Sequence, residues 1–326
     1  MIAGLAGLGW RVEHRALDAS FPVPTQAALR QTEAVLASIP DAALAVVDGL
    51  AFGALPELAQ AQGERLRLVA LVHHPLAEET GLAPERAAAL RQSETRALAQ
   101  ARRVLVTSAF TARLLAAYRV PPGHIRVVEP GTDPAPAALG SPDGQPRLLC
   151  VGALVPRKGH DVLLRALAEV ADLPWGLDCV GATDRDPAWS GTLPRLRDDL
   201  GLRERVRFCG VLSPRELNRR YAQADLFVLA SRFEGYGMVF AEALARGVPI
   251  LAARSGAVPE TVPPGAGALV RPDDPAALAA ALRGLLTDAG LRRRLAAGSR
   301  AAGLRLPTWP QVAAAFAAAC EEVRRG

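Results

Sequence analysis

The stretch Leu226-Phe227-Val228-Leu229-Ala230-Ser231-Arg232-Phe233-Glu234-Gly235-Tyr236-Gly237-Met238-Val239-Phe240-Ala241-Glu242-Ala243-Leu244-Ala245-Arg246-Gly247-Val248-Pro249 reads as one strand-loop-helix unit. Residues 226–230 are an unbroken apolar run, the pattern of a strand covered on both faces. Residues 231–237 are a loop, and Gly235 and Gly237 flank the start of a helix over 238–246, a ready site for sugar hydroxyls and phosphate oxygens. Gly247-Val248-Pro249 ends that helix. Glu234 sits in the loop, and Glu242 lies about one turn into the helix, among Phe240, Ala241, Ala243 and Leu244. A carboxylate in so apolar a helix is either on a solvated outer face or held for a purpose, because unpaired burial is costly. Carboxylates also accept bidentate hydrogen bonds from vicinal hydroxyls, such as those of a ribose or a hexose. The residues alone leave both readings of Glu242 open.

Outward from this unit, the same alternation runs through the chain. Strands are predicted over residues 12–17, 44–48, 68–73, 103–107 and 125–128, with helices over 24–39, 84–101 and 111–118 between them. The pattern restarts with strands over 148–152, 177–181, 206–209 and 249–252. Residues 130–146, rich in Pro, Gly, Asp and Ala, read as a linker. Ser213-Pro214-Arg215-Glu216 is a capping box with proline at the first helical position. The fold class is therefore α/β, with two Rossmann-like domains of parallel sheet over 1–135 and 136–305, and a ligand cleft outside the carboxyl ends of the strands. A terminal helix within 306–326 is expected to pack back towards the first domain. Residues 1–8 already read as a helix, whereas a Rossmann half opens with a strand and a Gly-rich loop, so that first strand and loop are expected to be missing.

With 326 residues, half of them hydrophobic, and a mean hydropathy of +0.15, the chain is long enough for two cores. No apolar run reaches the ~18 residues of a membrane span, and Met1-Ile2-Ala3-Gly4-Leu5 lacks the basic start of a signal peptide. Cys150, Cys179, Cys209 and Cys320 lie far apart in sequence with no metal-ligand spacing, so no metal is assigned and a reduced, cytoplasmic setting is expected. The net charge of +5 favours anionic partners: nucleotides, phosphates, or peripheral contact with an acidic membrane surface. No aromatic-interleaved basic patch points to nucleic acid. Of 38 basic residues only Lys158 is lysine, and a compact ammonium does not replace a planar guanidinium at a tight site. That singles out Lys158.

Lys158 lies in Val151-Gly152-Ala153-Leu154-Val155-Pro156-Arg157-Lys158-Gly159-His160-Asp161, between a buried strand and a helix. Adjacent Arg157 and Lys158 at a strand's carboxyl end suit a diphosphate leaving group; a basic solvent loop with Asp161 as a cap is the plainer alternative. Asp184-Arg185-Asp186 reads as a solvated acidic loop rather than a metal site.

Glu-x7-Glu in the context Phe-Glu-Gly-aromatic…Glu-Ala-x-Ala-x-Gly-x-Pro resembles the signature of family 4 (group 1) retaining glycosyltransferases, which have the GT-B architecture. Residues 151–164 resemble the family's Lys-Gly-x-Asp segment, 206–211 its Val-x-Phe-x-Gly strand, 255–261 its Gly-x-x-Pro-Glu turn, and 107–114 with 127–133 its interdomain run. The resemblance implies a hexosyltransferase that takes a hexose from a nucleotide diphosphate sugar, such as GDP-mannose or UDP-glucose, with no metal or other cofactor. It implies that Arg157 and Lys158, with Gly152 beside them, hold the diphosphate, and that Glu234 meets the hexose. Gly235, Tyr236, Gly237 and Met238 then lie along sugar and phosphate, Glu242 binds the ribose, Gly210 and Val211 border the base, and His73 stands beside the donor sugar. The acceptor, a sugar, lipid or other small molecule, is left unassigned. Two departures from the pattern are Ala153, where relatives carry arginine, and Pro130-Gly131-Thr132-Asp133 for Asn-Gly-Val-Asp. The competing readings are a catalytically impaired nucleotide-sugar-binding homologue and a sugar-nucleotide epimerase of the same fold.

Overall fold

Apolar runs without polar alternation become strands covered on both sides, and helices supply the cover. A computed structural model describes residues 1–325 and divides the chain into two units, Met1–Gly131 with Pro307–Gly326, and Thr132–Leu306. In the first, β1 (Leu44–Asp48), β2 (Arg67–Val72), β3 (Arg103–Val106) and β4 (Ile125–Val127) form a parallel sheet in sequential order. In the second, β5 (Arg147–Val151), β6 (Gly176–Val180), β7 (Val206–Phe208), β8 (Leu226–Leu229), β9 (Ile250–Ala253) and β10 (Gly267–Val270) are ordered β10-β9-β8-β5-β6-β7. All pairings in both sheets are parallel. The chain therefore has two parallel-sheet α/β domains. In the second, strand order reverses between β5 and β8, which makes their carboxyl ends the switch point where such sheets hold ligands.

The core of the second unit, mostly aliphatic, contains three aromatic rings in contact. Tyr221 stacks on Phe227 with centroids 6.1 Å apart, and Phe240 meets Phe227 edge-on at 5.6 Å. All three are fully buried, and each such pair adds ~0.5–1.5 kcal/mol beyond area burial. In the first unit the terminal helix Trp309–Arg325 buries Val312, Phe316 and Cys320 in one cluster with Val69 and Leu105 of the sheet. The helix Ile2–Gly7 adds Leu5 to that cluster, and Gly4 is required there: a Cβ would stand 2.6 Å from Ala313 Cβ. Among the described residues no helix is long and apolar enough to cross a membrane.

Several predicted elements need correction. Residues 12–17 form no strand: they are irregular, and 12–16 are exposed. Arg11, Glu13, His14 and Arg15 leave this run without an apolar face, and no neighbouring strand pairs with it. The helix predicted over 111–118 is instead Ala109–Leu114, capped by Ser108 Oγ on the Thr111 amide, followed by a tighter 3-10 turn to Tyr118. β10 was not foreseen, because Gly267-Ala268-Leu269-Val270 is a short edge strand in a Pro- and Gly-rich setting. The capping box at Ser213 is present in full, the Ser213 amide donating to Glu216 at 3.1 Å and the Glu216 amide to Ser213 Oγ at 3.3 Å.

One buried carboxyl of the first unit has no cationic partner in contact. Glu94 is 1% exposed and accepts the Leu76 amide at 2.9 Å, while its other oxygen has no hydrogen-bond partner. Burial pushes its pKa up from 4.5 to about 8, against the weaker downward pull of the Leu76 amide and Arg91. Because the folded chain then holds a proton that the unfolded chain releases, Glu94 favours folding below pH 4.5, and that contribution is lost as pH rises to about 8. Glu94→Gln keeps the acceptor and removes the titration. From about pH 5 to about pH 9 its stability relative to wild type should rise by on the order of a few kcal/mol. Paired urea unfolding curves at both pH values check this, and a gap that stays constant counts against it.

Candidate functional site

Two loops leave the switch point side by side. The first follows β5 through Gly152 and a 3-10 turn at Pro156–Lys158, and turns at Gly159 into the helix His160–Ala168. Gly159 has φ +65°, and a Cβ there would collide with the carbonyl oxygen of Ala230, at the end of β8. Only glycine permits both the left-handed turn and that approach. The second loop follows β8 and ends at Gly237, φ +86°, which caps the helix Met238–Ala245. Gly256 holds this loop from behind, its Cα against the Glu234 backbone, and the Ala257 amide donates to the Glu234 carbonyl at 2.8 Å.

Where the loops touch, Lys158 Nζ lies 2.6 Å from Glu234 Oε1. Ser231 Oγ donates to the same oxygen at 2.6 Å. Arg157 reaches Glu234 Oε2 at 3.6 Å and donates to the Phe233 carbonyl at 3.1 Å. The carboxylate is 4% exposed and both cations are mostly buried. Two cations thus face one carboxylate in a weakly solvated pocket, leaving an excess positive charge that attracts an anionic group. Lys158 also lines Gly152, where a Cβ would sit 3.3 Å from its Cδ. The fold therefore brings together Gly152, Arg157, Lys158 and Glu234.

Sequence reading missed the residue that ties the loops together. Arg232 grips Asp161 with both arms, at 3.0 and 2.8 Å, and Asp273 at 2.7 Å; it also donates to the Pro156 carbonyl. Its own amide donates to the Arg157 carbonyl at 2.8 Å. Arg232→Ala should lower unfolding stability by about 1–3 kcal/mol, less than a fully buried pair because both partners keep some solvent. Arg232→Lys, which lacks the fork, should recover less than half of that in guanidinium melts. Full recovery by lysine would show that charge alone is used.

Glu242 is partly buried, not on the solvated outer face. Tyr221 donates its hydroxyl to Glu242 Oε2 at 2.9 Å, and Arg246 lies 4.6 Å above the tyrosine ring. Burial, followed by the Glu242 charge, pushes the Tyr221 phenol well above its usual range, so it stays a donor. Nothing local in the sequence announces this contact, which spans 21 positions. Gly235, Tyr236 and Gly237 are buried, and Met238 is exposed at the helix start. Gly210 and the exposed Val211 follow β7, where Gly210 accepts the Gly181 amide at 2.9 Å.

His73 belongs to the first unit, one residue past β2. Its Nε2 is 3.1 Å from Asp48 Oδ2, both side chains being about half exposed. Burial alone would raise the Asp48 carboxyl, but the hydrogen bonds from His73 and the Leu50 amide outweigh it and hold the pKa below the usual value. His74 faces Glu79 instead, at 3.4 Å. In the acidic loop, Asp186 caps the helix Pro187–Ser190 through the Trp189 amide, and Asp184 is exposed.

The comparisons with known proteins agree with this frame. The family described as Glycosyl transferases group 1 matches residues 132–302, just over half of the chain, and Glycosyltransferase Family 4 matches 15–136. The chain is 38% identical over 174 residues to a GDP-mannose-dependent alpha-(1-6)-phosphatidylinositol monomannoside mannosyltransferase of Mycolicibacterium smegmatis, covering 51% of this chain and 44% of that one. It is 36% identical over 219 residues to a D-inositol 3-phosphate glycosyltransferase of Nocardia farcinica, covering 62% and 49%. The chain thus spans about half the length of the curated relatives it matches. Among solved structures, a sucrose-phosphate synthase from Thermosynechococcus elongatus superimposes with TM-score 0.82 at 24% identity, over 98% of this chain and 90% of that one. HepE of Anabaena in complex with UDP-glucose gives 0.73 at 21%, over 92% and 82%. Both likenesses concern the fold, and with the two parallel-sheet domains they fit the GT-B architecture. On the family match, this chain belongs to the group 1 glycosyl transferases.

Proposed function

We propose that the chain is a retaining hexosyltransferase that moves a hexose from a nucleotide diphosphate sugar to an acceptor, without a metal ion at the diphosphate. The observation that carries this reading is the meeting of Lys158, Arg157 and Glu234 at the switch point. Lys158 and Arg157 neutralise the diphosphate as it leaves, while Glu234 turns from its ion pair to the hexose hydroxyls. The helix start at Met238 turns its positive end to the same anion. Glu242, steadied by Tyr221, takes the ribose hydroxyls, Gly210 and Val211 border the base, and His73 assists at the sugar. The new bond forms between the acceptor oxygen and the anomeric carbon on the face that the diphosphate leaves. The carbon–oxygen bond to the diphosphate breaks, and the acceptor proton passes to a leaving phosphate oxygen. The protein contributes position and charge, with no covalent intermediate.

The names of the relatives support GDP-mannose as the first donor to try, with UDP-glucose beside it. A cytosolic setting belongs to the same proposal, supported by four cysteines that carry no bridge.

A donor panel read by nucleotide release tests the reading, with anomeric NMR of the product for retention. Lys158→Ala should lower kcat/KM about 100- to 1,000-fold, and Arg185→Ala, in the exposed loop, less than about twofold. Equal effects would undo the diphosphate assignment. Raising Mg2+ or Mn2+ from zero should change the rate less than about twofold, since charge is already supplied in place; a tenfold dependence overturns the metal-free part. Donor binding by calorimetry with neither transfer nor hydrolysis would leave a nucleotide-sugar-binding protein and sink the enzymatic claim.

A further inference from the structure

Three side chains beneath the Lys158 loop are used by nothing described so far. Cys150 on β5 and Cys179 on β6 are register partners across the parallel pair. His160 opens the helix that follows the loop. One ligand-type atom from each lies within 4.8 Å of the other two, and the three residues are 0%, 1% and 1% exposed. No other trio of His, Cys, Asp or Glu converges in this way among the described residues.

We propose that Cys150, Cys179 and His160 form a site for one thiophilic divalent ion, of which Zn2+ is the type. Cys150 Sγ and His160 Nε2 are 3.6 Å apart. Two ligands on a tetrahedral ion with bonds of about 2.3 and 2.0–2.1 Å are separated by about 3.6 Å. His160 Nδ1 is buried without a hydrogen-bond partner. With Nδ1 unpaired and Nε2 turned to Cys150, the imidazole offers Nε2 as its ligand atom. Two thiolates and an imidazole around a divalent ion sum to zero charge, so the complex suits an interior where a lone ion would be expelled. Soft sulfur ligands select this class of metal over Mg2+, Mn2+ or Ca2+.

The site has a structural consequence. Cys150 precedes Gly152 by two residues and His160 directly follows Gly159, so one ion pins both ends of the loop that carries Arg157 and Lys158. It lies in the core, apart from any ion at a diphosphate, and the binding claim holds or fails whatever that loop binds.

The test uses the reduced 326-residue chain, stripped by chelator and titrated with Co2+ and then Zn2+. One equivalent of Co2+ should produce thiolate-to-cobalt charge-transfer absorption, and Zn2+ should displace it. Zn2+ at a hundredfold excess over its Kd should raise the Tm by about 5 °C. Cys150→Ala and Cys179→Ala should each weaken binding at least tenfold, while Cys209→Ser keeps it. Should Cys150→Ala fail to fold by circular dichroism, Cys179→Ala and His160→Gln carry the comparison. Absence of the charge-transfer band in wild type, or an undiminished Co2+ affinity in Cys179→Ala, overturns the site and leaves a thiol–imidazole hydrogen bond in the core.

Discussion

Strand β5 runs beside β8, and the residues that meet at their carboxyl ends are 76 positions apart in sequence. Hydrogen bonds between the strands fix that spacing, and Gly159 lets the first loop lie against the end of the second strand. The contacts among Arg157, Lys158, Arg232 and Glu234 depend on this adjacency. A side chain at position 159 would drive the loops apart, separating Lys158 from Glu234 and Arg232 from both Asp161 and the Pro156 carbonyl. The register of one strand pair thus sets the electrostatics of the pocket.

Two buried glutamates differ in the partners that surround them. Glu234 is 4% exposed and meets a lysine, an arginine and a serine, so its burial is compensated. Glu94 is 1% exposed and has one backbone amide, so burial dominates and its pKa climbs to about 8. A charge taken from water is kept only where opposite charge and donors replace the water. Under the proposed function this pair is poised: an incoming anion takes the cations, and sugar hydroxyls take the carboxylate.

Much of the fold was legible because its causes are local. Apolar β-branched runs located nine of the ten strands to within a residue or two, and the Ser213 box marked its helix through contacts three residues apart. β10 escaped because an edge strand of four residues carries little pattern, and 12–17 form no strand because the run has no apolar face and no neighbour to pair with. Lys158 and Glu234 stood out by rarity and motif, and the fold sets them in contact.

The sequence by itself determined the alternation of strand and helix, the glycines at the loop turns, and the single lysine, since each rests on propensity, spacing or composition. Only the tertiary structure decided that Tyr221 holds Glu242, that Arg232 joins the two loops, and that Cys150, Cys179 and His160 converge. Cysteines without ligand spacing in the chain become neighbours once β5 and β6 pair in register. Contacts across a sheet are set by strand order and register, and these arise from burying the whole core at once rather than from any one segment.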